Sequence, residues 1–425
     1  MIKYLMIVIY NNVIYCLRII YRIAGWFNPK AKAFNLGQKQ QKNKLETSFP
    51  LPTPEPLIWM HCASLGEFEQ GRPVLEALKS QNSSLKILLT FFSPSGYEVR
   101  KNYEYADFIF YLPWDTRRNA ITFIEKIKPA LVIFVKYEFW YHYTHELHKR
   151  NIPLISISSI FRPKQIFFQW YGSLFRSMLK SFNHFFVQND QSVRLLQSID
   201  VSEVTLTGDT RFDRVQQINE NAEELPLVAQ FKNDQKLMVI GSAWAEDMEV
   251  LFPFINENKS RLKFIIAAHE ISESFLDEIE KSIDGNCVRY SKAEGNSIQE
   301  FSVLLIDNIG MLSRLYRYGE FAFIGGGFRQ GLHNILEAAC YGIPIFFGNK
   351  AYQKYQEAVD LVNRGGAFEV GSYRDLKSTY EKMISSPQSS QLACEVTRQY
   401  VLENLGATNK IVGYCKKFLS LWKAG

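Results

Sequence analysis

The chain of 425 residues is 47% hydrophobic and 22% charged, which excludes a disordered or fibrous protein and leaves enough material for two separately cored domains. Its net charge of +6 is modest; it suits a surface that meets anionic lipid or phosphorylated substrate, and an ordinary solvated surface accounts for it equally. The six cysteines are scattered, without a CxxC pair and mostly among apolar neighbours, and so read as reduced core residues of a cytosolic protein rather than disulfides or zinc ligands.

Residues 2–27 are rich in Ile, Tyr, Leu and Val but are interrupted by Asn11, Asn12, Arg18 and Arg22. A spanning helix needs about 20 nearly uncharged residues, and no clear cleavage site follows a short apolar core. Residues 1–27 therefore read as an uncleaved membrane anchor, either spanning or lying in the interface. Lys30, Lys32, Lys39, Lys42 and Lys44 come next, and positive charge beside an anchor places the main body in the cytoplasm. Residues 28–56 are basic and polar and end in Pro50, Pro52, Pro54 and Pro56, the composition of a linker.

From residue 57 short apolar runs alternate with helical stretches. Strands are expected at 57–61, 86–91, 108–112, 131–135, 154–157, 184–187 and 204–207, with helices at 66–80, 118–127 and 141–150 among them. Residues 214–235 are polar and carry no strong run, after which the pattern restarts with strands at 237–241, 262–267, 303–307, 321–324 and 343–347. This alternation implies parallel sheets covered by helices. The expected architecture is α/β, with two Rossmann-like domains (57–213 and 214–425) facing a central cleft and ligands gathered at the carboxyl ends of the strands.

The chemistry-bearing residues follow those strands. Glu67 sits at a helix start after Trp59-Met60-His61-Cys62-Ala63-Ser64, where it can serve as a base or merely as a cap. His61 reads as a packed strand end. Lys136 and Glu138 close another strand as candidate rim charges or a structural ion pair. Arg211, in Gly208-Asp209-Thr210-Arg211-Phe212-Asp213, is either a cation for anionic charge or a surface partner of Asp213. Phe321 to Gly348 reads strand, Gly325-Gly326-Gly327 turn, helix opened by Asn334, strand; such a turn either holds phosphate, with Glu337 accepting from ribose hydroxyls, or is a tight turn without ligand. There is no HExxH and no clear strand-end DxD, so catalysis without metal is preferred.

Taken together, the apolar N-terminus and the motifs HCASLGE (61–67), SPSG (93–96), LPWDT (112–116), EFW (138–140), GDTRFD (208–213), GSAWAED (241–247) and GGGFRQGLHNILEAA (325–339) resemble the 3-deoxy-D-manno-octulosonic acid (Kdo) transferases of lipopolysaccharide synthesis, in order and over nearly the whole chain. The resemblance implies a GT-B fold and inverting transfer of Kdo from CMP-Kdo to a lipid A precursor, lipid IVA, at the cytoplasmic face of the inner membrane, with no cofactor and no nucleic acid. It gives Glu67 the role of general base and puts Arg211 where a transition-state lysine is usual. It draws CMP contacts from Ala268, His269, Ile309, Gly310, Met311, Asn334, Ile335, Leu336 and Glu337. Three departures stand out: Ala268-His269-Glu270 replaces a usual Pro-Arg-His, Lys136 replaces a glutamate among the catalytic candidates, and Leu332 replaces a glycine before His333. Two alternatives remain: a GT-B transferase using a UDP-sugar, and a membrane-tethered nucleotide-binding protein without catalysis.

Overall fold

The computed structural model describes residues 2–49, 55–293, 297–329 and 331–421; Pro50, Pro52 and Pro54 of the expected linker lie outside the described residues. Most apolar runs form strands because their side chains are buried on both faces of a sheet; Val204–Leu206, at a sheet edge, is only half-buried. In β1 (Leu57–Cys62), Leu57 and Trp59 enter one core while Ile58, Met60 and Cys62 enter another, the alternation a pleated strand imposes.

The first sheet adds β2 (Lys86–Phe91), β3 (Phe108–Tyr111), β4 (Leu131–Val135), β5 (Leu154–Ser159), β6 (His184–Val187) and β7 (Val204–Leu206), in the order β3-β2-β1-β4-β5-β6-β7. The second contains β8 (Leu237–Ala243), β9 (Lys263–Ala268), β10 (Cys287–Arg289), β11 (Val303–Ile306), β12 (Phe321–Ile324), β13 (Ile345–Gly348) and β14 (Ala367–Val370), in the order β10-β11-β9-β8-β12-β13-β14. All pairings are parallel. The sequence reading omits β10 and β14, edge strands in which Arg289 and Glu369 break the apolar run.

The chain divides into two compact units, Met1–Asp213 with Leu405–Gly425, and Arg214–Asn404. The final helix Ala407–Leu421, expected with the second domain, thus belongs to the first. Its Ile411, Val412 and Cys415 fill the core beneath helix α3 (Leu65–Gln81), and the Asp213 carboxylate accepts from the backbone N–H groups of Gly406 and Thr408 at 2.7 Å each.

Helix α1 (Ile2–Ala24) coincides with the expected anchor, whereas α2 (Pro29–Ser48) occupies the stretch read as linker. Asn28 caps α2 and Pro29 starts it, a favoured combination. Among the described residues its buried apolar stripe is Ala31, Phe34 and Leu45, too sparse to stand out in sequence, and Gln41 Oε1 accepts from the Tyr111 N–H on edge strand β3 at 3.0 Å. The cysteines are all free, but Cys16 on α1 is exposed rather than in a core.

Candidate active site

In the first sheet the strand order reverses between β1 and β4, so the loops leaving their carboxyl ends part and open a crevice. Glu67 enters it from the first turn of α3. Ser64 caps that helix, its Oγ accepting from the Glu67 N–H at 3.5 Å, and the Glu67 carboxylate folds back to accept from the Ala63 N–H at 2.5 Å. Burial and the nearby Glu138 carboxylate push the Glu67 carboxyl up to about 7; the Ala63 amide, the Lys136 ammonium and the Ser64 amide pull the other way. Lys136 ends β4 in a left-handed conformation, φ +66, which turns the chain so that Glu138 follows on the same rim.

His61, read from sequence as a packed strand end, is fully buried but also connected. Trp59 Nε1–H donates to Thr90 Oγ1 at 2.8 Å, Thr90 Oγ1 lies 2.9 Å from His61 Nδ1, and His61 Nε2 lies 3.1 Å from Glu138 Oε2. Trp140 Nε1–H adds a 2.6 Å bond to the same oxygen. The chain of bonds closes when the Thr90 hydroxyl donates to Nδ1 and Nε2–H donates to Glu138, leaving each buried group satisfied. Glu138 also borders an apolar cavity of about 480 Å³ walled partly by Ile9, Val13 and Leu17 of α1.

Arg211 pairs with Asp209: its Nε–H and Nη2 approach Asp209 Oδ2 at 2.9 Å each. Gln70 Nε2–H, one turn beyond Glu67 on α3, donates to the same oxygen at 3.0 Å. Asp209 and Gln70 therefore position Arg211 relative to the helix carrying Glu67. Asp209 lies within the GDTRFD motif, whereas Gln70 carries no signal in the sequence.

In the second unit the reversal falls between β8 and β12. The loops after β11, β9, β8 and β12, four neighbouring strands, bring together Ile309 to Met311, Ala268 and His269, Trp244, and His333 to Glu337. His269 stacks on Trp244 with ring centroids 4.1 Å apart and lies 4.5 Å from His333, while Trp244 Nε1–H donates to His333 Nε2 at 3.0 Å. Burial lowers the proton affinity of both histidines, His333 to about 4. Arg329 lies over the Trp244 face, 4.3 Å from its centroid. Trp244, His333 and Arg329 were not singled out from sequence; the GSAWAED and GGGFRQGLH motifs that contain them were the available signal.

Asn334 Nδ2–H donates to Glu337 Oε1 at 3.0 Å. Asn334 does not open the helix: it runs only Leu336–Ala339, and Asn334 Oδ1 accepts from the Leu336 N–H at 3.3 Å, so the helix dipole available to an anion is that of one turn. Ile335, Leu336, Met311 and Ala268 are buried, whereas Ile309 is 91% exposed. The glycine turn spends amides internally, Gly325 N–H on Gly241 O and Gly326 N–H on Asp247 Oδ2, both at 2.8 Å. Its glycines answer to packing instead. A Cβ on Gly325 would meet Ser242 O at 2.1 Å, and one on Gly327 would meet Gly348 O at 2.4 Å. Among the described residues no cluster of three or more metal-ligating side chains occurs.

Residues 34–214 match the family described as 3-deoxy-D-manno-octulosonic-acid transferase (kdotransferase). The chain is 28% identical to the 3-deoxy-D-manno-octulosonic acid transferase of Aquifex aeolicus over 77% of its own length and 86% of that protein. It is 26% identical to the enzyme of the same name from Rickettsia felis, over 85% and 79%. Among solved structures, UDP-GlcNAc 2-epimerase from Neisseria meningitidis superposes with a TM-score of 0.59 at 18% identity, over 85% of this chain and all of that one. At that identity the likeness is one of fold.

Proposed function

We propose that the chain, which is similar to the Kdo transferases over residues 34–214 and is a glycosyltransferase of GT-B type, moves Kdo from CMP-Kdo to the glucosamine disaccharide of a lipid A precursor, lipid IVA, with inversion at the anomeric carbon. The observation that carries this reading is Glu67: a carboxyl pushed up to about 7, at the carboxyl end of β1, matched to its task as a base at neutral pH. Glu67 takes the proton of the acceptor hydroxyl as its oxygen bonds to the anomeric carbon, and the bond from that carbon to the CMP phosphate breaks, its electron pair leaving with CMP. Arg211, held by Asp209 and Gln70, stabilises the anionic charge of the transfer, and Lys136 tunes Glu67. In the second unit Asn334 and Glu337 receive the ribose of CMP, with His269 and the amides around Ile309, Gly310, Met311, Ile335 and Leu336 near its phosphate and base. The departure at Ala268-His269 is met by the ring stack on Trp244. Helix α1, long and apolar enough to cross a membrane by composition, associates the enzyme with the cytoplasmic face of the inner membrane.

The test is transfer of labelled Kdo from freshly generated CMP-Kdo to a tetraacylated lipid A precursor without added metal, by wild type and by Glu67→Gln. Transfer by the first and a loss of at least about 10²-fold in the second support the reading. A well-folded wild type that ignores CMP-Kdo but uses a UDP-sugar would overturn the donor.

A further inference from the structure

We propose that α1 does not cross the bilayer but lies in its interface, and that a basic cavity between α1 and α2 binds the phosphate of an anionic phospholipid headgroup. This rests on the membrane part of the reading above and on neither its donor nor its acceptor.

The polar interruptions of α1 are its docking seam. Tyr10 O–H donates to Asp115 Oδ2 at 2.5 Å, Asn11 Oδ1 lies 2.7 Å from His142 Nε2, and Tyr21 O accepts from Asn35 Nδ2 at 2.6 Å. Ile14 is buried between them and Tyr21 packs on Phe34 and Trp114. From Tyr10 to Tyr21 the helix advances about 16 Å, roughly half the thickness of a hydrocarbon core. A spanning α1 would therefore drag Asp115, His142 and the exposed Arg117 into lipid, where charged and polar groups are costly. The opposite face exposes Leu5, Val8, Ile9 and Ile20, and the turn after the helix carries Trp26 and Phe27, 80% and 83% exposed, as befits an interfacial helix.

Arg18 and Arg22, which interrupt the apolar pattern, face a cavity of about 1380 Å³ shared with Lys32, Lys39 and Arg118. Glu46 is the one carboxylate among the described lining residues, and none of the five cations has an ion pair among the described residues. Unpaired cations beside exposed apolar side chains match the amphiphilic order of a lipid: acyl chains along α1, phosphate in the cavity.

Two measurements on the full chain test this. First, tags at the N-terminus and C-terminus are probed with protease in sealed, oriented inner-membrane vesicles; both should be cut from the same side, and an N-terminal tag reached only from the other side overturns the in-plane helix. Second, sedimentation compares vesicles of phosphatidylcholine with vesicles containing one quarter phosphatidylglycerol. Binding should favour the latter, lose about fivefold for each of Arg22→Gln, Lys32→Gln and Arg118→Gln, and weaken with salt, while far-ultraviolet circular dichroism stays unchanged. Equal binding to both vesicles, or variants that bind phosphatidylglycerol normally and instead raise KM for a phosphorylated acceptor, would overturn the headgroup site. No binding to any vesicle would refute the membrane reading itself, with sugar transfer untouched.

Discussion

His61 Nε2 stands 3.1 Å from Glu138 Oε2 with both residues withdrawn from water, and this contact fixes the carboxylate that raises the proton affinity of Glu67. The pair joins the ends of β1 and β4, strands that meet only at the reversal of the sheet order. Glu67 and the carboxylate that tunes it thus come from opposite sides of one switch point.

The pH dependence of kcat/KM should show it. As the proposed base, Glu67 must be deprotonated to act, so activity is expected to rise with pH, falling about tenfold per unit below an inflection near 7. Glu138→Gln removes the repelling charge and should move the inflection to lower pH; Lys136→Gln removes an attracting one and should move it higher. Shifts of the same sign in both variants would sink the assignment.

Glu67 should also cost stability. Its folded carboxyl holds a proton between its ordinary value of 4.5 and about 7, while the unfolded one releases it. The folded state then binds more protons in that window, so stability falls as pH rises through it and the loss is complete above 7. Glu67→Gln is expected to gain melting temperature relative to wild type at pH 8 and to gain less at pH 4.5. A gap independent of pH would show that Glu67 is not the buried charge inferred here.

Arg211→Ala should lower kcat by about 10² to 10³ with little change in KM, whereas Arg211→Lys keeps the cation, loses the two-pronged contact with Asp209 and should recover most of that loss. Asp209→Asn, which frees the guanidinium from its anchor, should fall between them. Steady-state kinetics of the three variants check this, and an unimpaired Arg211→Ala would remove Arg211 from the mechanism.

Gly326→Ala should destabilise the second unit by about 1 to 3 kcal/mol or more, since Gly326 has φ +88 and its Cβ would stand 2.3 Å from Gly331 O. Gly413→Ala is the control: it lies within the helix Ala407–Leu421 with no atom within 4 Å of an added Cβ, and should stabilise by about 0.5 to 1 kcal/mol. Thermal unfolding of both variants makes the comparison.

Elements whose signal is local are legible along the chain. The limits of β2, β4, β6 and β12 follow directly from their apolar runs, and the N-terminal helix follows from 23 residues of mostly apolar character. The turn glycines were equally visible, but their reason was not: Gly325 and Gly327 are required by backbone from β8 and β13 arriving at their Cα atoms, a contact that no spacing records. Likewise α2 reads as linker because its buried apolar stripe among the described residues is just Ala31, Phe34 and Leu45, and the final helix carries an apolar stripe without stating which sheet it covers.

Tertiary structure alone decided the chemistry of the site. Proton affinity depends on burial and on the distance between charges, and His61 and Glu138 stand 77 positions apart in the chain; only the sheet order β2-β1-β4 makes them neighbours. The same holds for Arg18 and Arg22, which in the sequence look like flaws in a spanning helix. Folding turns them toward a cavity instead, because Tyr10 and Asn11 bind α1 to the body and fix its rotation.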